Sequence, residues 1–366
     1  MAEFNIVVIS PTGRSNALGR AMCLAELASE LSDGIRLFAP DDGDLWPGAR
    51  RSSLCVERYT SSRSVLTAVR AISGPLVVWG VKPISASWCP ALQVAAALPA
   101  TRLILDIDDA DEALSRQFMS ASLGNRLRLH PWHPLTPTSI RRTLARASRQ
   151  AHGLTYASEA VRDLLDLQSR GPLLRVPHPR HRVSALLERT PDAHINIGFL
   201  GTLREHKGLA TMERLVADEP RYRLHVFRGT VPATSTLAGI TQLVEHDVDA
   251  PMAHVYSQID VVILPQAESV GAQVQLPAKL LDAMRFGKPT VASRSPAIYE
   301  AAGDTITYVA DWDSKEDVHR KIAAAATLES GTATRAKRRF DAELALEAQV
   351  DPLRRFVEAM SAGSTE

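Results

Sequence analysis

The chain is poor in cysteine, in lysine and in aromatic residues, and it has almost no excess of charge. Cys23, Cys55 and Cys89 are its three cysteines. An odd number without a CxxC spacing or a nearby histidine cluster argues against a zinc site or a disulfide framework, and fits reduced structural thiols in a cytoplasmic protein. Lys+Arg 42 against Asp+Glu 41 leaves a net charge of +1, so no overall positive field draws the protein to nucleic acid, and membrane contact is at most peripheral. Long apolar runs are missing. The opening MAEFNIVVIS lacks a cationic start and ends its apolar stretch within a few residues, so it reads as a buried first strand and not as a signal peptide or membrane span. Neither GxGxxG nor a Walker motif follows that strand, which weakens a dehydrogenase reading.

What the chain does have is length and rhythm. Its 366 residues, 45% hydrophobic and 23% charged, suffice for about two domains of roughly 150 residues with sizeable cores. Short apolar runs at 5–10, 35–40, 54–59, 76–81, 102–108, 153–158 and 173–178 alternate with helical stretches, the pattern of an α/β fold with a mostly parallel sheet covered on both faces. Between the first two lies NALGRAMCLAELASEL, with Leu18, Met22, Ala25 and Leu31 near one face behind an N-cap expected at Asn16. GPLLRVPHPRHRV, with three prolines and no period, marks a hinge. The rhythm restarts at 195–202, 222–228, 261–265, 289–293 and 306–309. A helical tail, 332–360, is expected to break at Pro352 and to pack back across the hinge. The expected domains are thus 1–178 completed by 347–366, and 179–346. Two such domains facing each other imply a ligand cleft lined by strand-to-helix loops.

Several loops carry candidate chemistry. In SPTGRSNALGR, Gly13 and Gly19 bracket a helix N-terminus able to offer N–H groups to a phosphate, although a structural turn explains them as well. In GFLGTLREHKGL, Gly201 is followed by Arg204 and Lys207 ahead of a helix, which supplies the fixed cations and aligned donors a diphosphate needs. VVILPQAESVGAQVQLPAKLLDAMRFGKPTVASRSP holds Glu268 and Gly271 on a polar loop and Lys279 and Asp282 on the next helix. There an intrahelical ion pair and a carboxylate on a ribose are the two readings.

LILDIDDADE crowds Asp106, Asp108, Asp109 and Asp111 at a strand end, where carboxylates bind a metal, act as a base or cap the next helix. RLHPWHPLTP places His130 and His133 in a proline-rich loop, as part of a site wall or as a structural pair. SIRRTLARASRQ has four arginines on a helix that reads most simply as solvated, with a membrane surface or an anionic acceptor as the other reading.

GFLGTLREHKGL and LPAKLLDAMRFGKPTVAS resemble the retaining glycosyltransferases of family 4, which have the GT-B fold of two facing Rossmann-like domains and a terminal helix that crosses back to the first. The resemblance implies that Arg204 and Lys207 hold the donor diphosphate and that Asp282 holds the ribose. It departs from the family's usual pair of glutamates seven residues apart: Glu268 lies 14 positions before Asp282, and Lys279 looks like the lysine some members carry instead. Where many members have a site histidine after a first-domain strand, this chain reads LILDIDDA, so Asp106, Asp108 or His133 is the catalytic candidate.

The implied activity is metal-independent, retaining transfer of a sugar from a nucleotide diphosphate sugar to a hydroxyl acceptor, with no cofactor and no nucleic acid, and with a homodimer left open. Rival readings are a nucleotide-sugar epimerase of the same architecture, a metal-dependent transferase using DIDD, and a non-catalytic nucleotide-sugar binder. The arginine-rich composition is compatible with a bacterium of high genomic GC content.

Overall fold

A computed structural model describes residues 4–128, 133–184, 193–204, 207–217, 219–327 and 331–362. The chain divides into two compact units. One runs to Pro179 and resumes at Leu346, and the other is Arg180–Ala345.

The first unit is a seven-stranded, wholly parallel sheet built from β1 (Asn5–Ile9), β2 (Ile35–Pro40), β3 (Val56–Tyr59), β4 (Leu76–Val81), β5 (Arg102–Ile107), β6 (Gly153–Tyr156) and β7 (Leu173–Arg175). Their order across the sheet is β3-β2-β1-β4-β5-β6-β7, with Val7 opposite Val78 at the centre. Strands buried on both faces explain the unbroken apolar runs NIVVI and LVVWGV. The first helix, Asn16–Ser29, is capped by Ser15, whose hydroxyl accepts from the Ala17 N–H. The cap thus lies one residue before the expected Asn16.

Leu18 and Met22 of that helix pack with Val8, Trp79 and Ile104 of the sheet and with Leu353, Phe356 and Met360 of the terminal helix Leu346–Ala362. A Cβ on Gly153 would stand 2.5 Å from the Phe356 ring and 2.8 Å from the Met360 sulfur. Only glycine lets the terminal helix come this close to β6.

The helical tail breaks at Ala345, not at Pro352. The helix Gly331–Arg339 widens into a turn at Phe340–Leu344, and Ala345 is extended with ψ 151. Leu344 packs in the second unit and Leu346 in the first, so the chain straightens where it passes from one core to the other. Pro352 costs the following helix one hydrogen bond and is absorbed within it.

The second unit is a six-stranded parallel sheet of β8 (Ile195–Gly198), β9 (Tyr222–Phe227), β10 (Leu243–His246), β11 (Val261–Leu264), β12 (Thr290–Ser293) and β13 (Thr307–Val309), in the order β10-β9-β8-β11-β12-β13. Both units are therefore doubly wound and Rossmann-like. The strand β10 has no counterpart in the sequence reading. It is a four-residue edge strand, LVEH, and its one fully buried residue, His246, is polar and bonded at 2.9 Å to His225 on β9. No helix among the described residues is long and apolar enough to cross a membrane. Cys23 is buried, and Cys55 and Cys89 are exposed free thiols.

The first unit is tied together by a fully buried ion pair. Arg20 of the first helix donates from Nε and Nη2 to the two oxygens of Asp106 on β5 at 2.9 and 2.7 Å, and also to the carbonyls of Val176 and Pro177. The Thr155 hydroxyl on β6 adds a bond to Asp106 at 2.8 Å and accepts one from the Trp79 indole. Asp106 was a catalytic candidate by sequence. Its carboxylate is enclosed and occupied, so it ties helix, sheet and the end of the unit together instead of meeting a substrate. Asp106→Ala would leave Arg20 buried without its partner, and is expected to cost about 3–5 kcal/mol in urea unfolding of the full chain; a loss below about 1 kcal/mol would show that the pair is not load-carrying.

Candidate functional site

In a parallel sheet every strand delivers its chain to the same edge, and ligands bind beyond the carboxyl ends. In the second unit, β8 and β11 are neighbours, with Val261 opposite Ile197, so the loops that follow them lie side by side. Gly208 fixes their contact. It has φ +82, and a Cβ there would come 2.1 Å from the Pro265 carbonyl oxygen, so no other residue fits this turn. The Arg204 carbonyl accepts from the Lys207 and Leu209 N–H groups at 2.9 and 3.2 Å, closing the loop before the helix Leu209–Ala217. The Arg204 guanidinium is exposed, with no ion pair among the described residues.

The loop after β11 is held from below. Gln266 is buried; it donates to the Gln275 carbonyl, its side-chain oxygen accepts from Ser295, and its backbone carbonyl accepts from Ser293. Gln273 bonds the Ala267 carbonyl. Beyond this anchor, Glu268 is exposed and Gly271 is buried in the short helix Val270–Val274.

Lys279 and Asp282 lie on the helix Ala278–Arg285, but they do not pair with each other. The Lys279 ammonium lies 3.2 Å from the centroid of the buried Phe199 ring, just past β8. It also faces Gly201, where a Cβ would stand 3.6 Å away. Burial, with the charge of Lys207 added, pushes this ammonium well below the ordinary lysine range. No carboxylate pairs with it among the described residues. Asp282 turns to Arg180 instead, whose Nε lies 3.2 Å from its Oδ1. The intrahelical ion pair is therefore not formed, and the structure brings Lys279 close enough to Lys207 and Gly201 for the two lysines to repel each other beside that turn.

In the first unit, Gly13 has structural partners. Its N–H donates to Asp42 Oδ1 at 3.1 Å and its carbonyl accepts from the Trp46 N–H. The amide expected to meet a phosphate is already used in a structural turn.

In the first unit, the strand-end aspartates split between two cations. While Asp106 meets Arg20, Asp108 lies 2.6 Å from Lys82, which also reaches Asp109 and Asp111 at 3.0 Å each. Asp109 and Asp111 were candidate caps, yet the helix Asp111–Ala121 has Ala110 at its N-cap and no side-chain cap. Of the DIDD carboxylates, Asp106 thus meets Arg20 while Asp108 and Asp109 share Lys82. Lys82 was not singled out by sequence. Its signal was a rare lysine directly after a buried strand, but its left-handed backbone, φ 65, has no sequence mark. That conformation is held by its N–H to the Asp106 carbonyl and by Ser87 on its own carbonyl. His133 is half-buried, and its ring accepts from the Leu135 N–H at 3.2 Å, a local turn ahead of the next helix. His130 lies outside the described residues.

Residues 194–327 match the family model described as Glycosyl transferases group 1. The second unit carries a glycosyltransferase domain. Similarity to solved structures extends over the whole chain. Sucrose-phosphate synthase from Thermosynechococcus elongatus has a TM-score of 0.71 at 14% identity, covering 99% of this chain and 100% of that one. HepE of Anabaena, solved with UDP-glucose, has 0.69 at 12%, covering 98% and 99%. A glycosyltransferase from Rickettsia africae has 0.61 at 9%, covering 99% and 100%. At these identities the likeness shows the fold, which is of the GT-B type. No curated protein matches the chain significantly.

The cluster around Lys82 sets a pH dependence. Burial raises the Asp108 carboxyl to about 7 and that of Asp111 to about 6, with Lys82 opposing the rise and the neighbouring aspartates adding to it. Unfolded, both groups ionise near 3.8. Between those values the folded chain holds more protons than the unfolded one, so stability falls as pH rises through this window. Thermal midpoints are expected to drop from pH 5 to pH 7.5, and Asp108→Asn is expected to flatten the slope; an unchanged slope in that variant would remove Asp108 as its source.

Proposed function

We propose that the chain is a retaining, metal-independent glycosyltransferase that moves a sugar from a nucleotide diphosphate sugar to a hydroxyl acceptor. The observation that carries this reading is the Lys279 ammonium, desolvated against Phe199 with Lys207 as its charged neighbour and no carboxylate paired with it among the described residues. A cation kept in this state is stabilised by an anion that enters with its own charge, and a diphosphate fits. In the reaction the bond to the anomeric carbon breaks and negative charge grows on the diphosphate. Lys207, Lys279 and the exposed Arg204 would then bind the leaving group more tightly than the substrate, which lowers the barrier. Fixed positive charge supplies here what a divalent cation supplies elsewhere.

In this reading Asp282, oriented by Arg180, accepts from the ribose hydroxyls, and the loop from Glu268 to Gly271 meets the nucleotide sugar. The family 4 resemblance supports retention. UDP is the first nucleotide to try, because HepE was solved with UDP-glucose. In the first unit Asp108, held by Lys82, and the half-buried His133 are the sequence candidates for the acceptor hydroxyl. The bacterial, cytoplasmic setting remains part of this proposal.

Calorimetry tests the donor site directly. Hydrogen bonds to charged groups contribute about 1.5–3 kcal/mol, so Lys279→Ala and Lys207→Ala are each expected to weaken UDP binding by roughly 10- to 100-fold, with or without Mg²⁺. A double variant that binds as the parent does overturns the site. Proton NMR of the product reads the anomeric configuration; inversion would overturn the retaining part alone.

A further inference from the structure

Residues 113–158 contain no aspartate or glutamate and seven arginines: Arg116, Arg126, Arg128, Arg141, Arg142, Arg146 and Arg149. In a chain of net charge +1, this one segment is strongly cationic and the remainder is net negative. The helix Pro137–Gln150 concentrates the effect. Ile140 and Ala147 face inward, while Arg142, Arg146 and Arg149 follow one another on the opposite side and are exposed, as is Arg141. None of the four forms an ion pair among the described residues. Their surroundings supply no spare acid either. The helix Ser85–Ala97, packed against them, has no charged residue, and on the helix Asp111–Ala121 Glu112 pairs with Arg116 and Asp111 with Lys82.

A second observation lies on the adjoining helix. Asp111–Ala121 packs beside Pro137–Gln150 yet buries none of its residues fully. Phe118 is 47% exposed and Leu135 44%, and Leu135 is tied to this helix by the Ser115 hydroxyl on its carbonyl. Two large apolar side chains are thus about half exposed on and beside the helix that packs against the arginine-bearing one. Nucleic acid would pair with the arginines and leave those apolar groups unused. A bilayer surface takes both, with phosphate headgroups for the arginines and the acyl boundary for Phe118 and Leu135.

We propose that this face of the first unit docks the protein on anionic lipid. The inward stripe is occupied by the core, so the helix does not bury itself in the membrane. It lies on the surface by its arginine side, with Phe118 and Leu135 as the inserting contacts. The inference rests on the first unit alone and stands apart from the donor-site reading.

The test is sedimentation of the full chain with large vesicles of phosphatidylcholine and phosphatidylglycerol, against vesicles of phosphatidylcholine alone. Binding is expected to the anionic vesicles only and to fade at high salt. Each basic residue near such a surface contributes about fivefold to partitioning, so Arg142→Ala with Arg146→Ala is expected to lower it by roughly 25-fold. Arg142→Lys with Arg146→Lys is expected to retain it, and Phe118→Ser to weaken it without changing its salt dependence. Circular dichroism and thermal midpoints of the variants establish that they fold. Absence of binding to anionic vesicles at low salt, equal binding to both vesicle types, or insensitivity to the paired alanine change in a folded variant overturns the proposal. So does full displacement by soluble glycerol phosphate at headgroup concentration, which would mark a free phosphate site and not a surface.

Discussion

An ammonium group desolvated with no counter-ion among the described residues is the constraint on which the second unit turns. Lys279 gains something from the face of Phe199, and cation–π contacts of this kind reach about 2 kcal/mol when desolvated, but Lys207 opposes that gain. A side chain with this much freedom would turn to solvent if its surroundings allowed it. They do not, because everything around it is fixed by short-range geometry: β8 and β11 are paired, Gly208 locks their loops at the Pro265 carbonyl, and Gln266 secures the second loop through Gln275, Ser293 and Ser295. The fixed contacts below the loops keep a poorly solvated charge in place, as the proposed binding of a diphosphate requires.

The first unit answers the same physical problem in two other ways. Arg20 is as enclosed as a charge can be, but Asp106, two backbone carbonyls and the Thr155–Trp79 chain satisfy nearly every donor and acceptor around it. It is finished, and nothing remains for a substrate to do. Lys82 is surrounded by three carboxylates, so the local balance is negative and is met by protonation. One cation is therefore matched, one is over-matched and one, Lys279, has no counter-ion among the described residues.

These differences decide what sequence could disclose. Strand positions and the two doubly wound units were legible because buried parallel strands leave unbroken apolar runs, as in LVVWGV. The edge strand LVEH escaped because it has no such run, and the tail's break escaped because passage between cores at Ala345 leaves no proline or glycine behind. Gly201, Lys207, Lys279 and Asp282 were visible as candidates, since glycine and lysine next to a helix start are unusual enough to notice. Their partners were not. Phe199 looks like any core residue, Arg180 like any cation in a proline-rich segment, and Gly13 like a phosphate turn until Asp42, 29 positions away, takes its amide. Which carboxylate of LILDIDDA meets which cation depends on Arg20 and Lys82, 86 and 26 positions earlier than the aspartates they hold. Contacts of that reach are set by topology and not by local spacing.

Net charge is the clearest case of a sum that conceals its parts. A total of +1 argues correctly that no global field surrounds the protein. Screening, however, limits each charge to neighbours within about 10 Å, so what a surface experiences is the local arrangement. In the first unit that arrangement is a helix whose four arginines have no acid within their own segment or on the charge-free helix Ser85–Ala97 beside them. The compensating aspartates and glutamates lie elsewhere in the chain, many of them already engaged, as Asp108, Asp109 and Asp111 are with Lys82. A neutral total built from separated fields binds opposite partners at different places, and the exposed Phe118 next to the arginines adds to this field the apolar contact that distinguishes a lipid surface from a free anion.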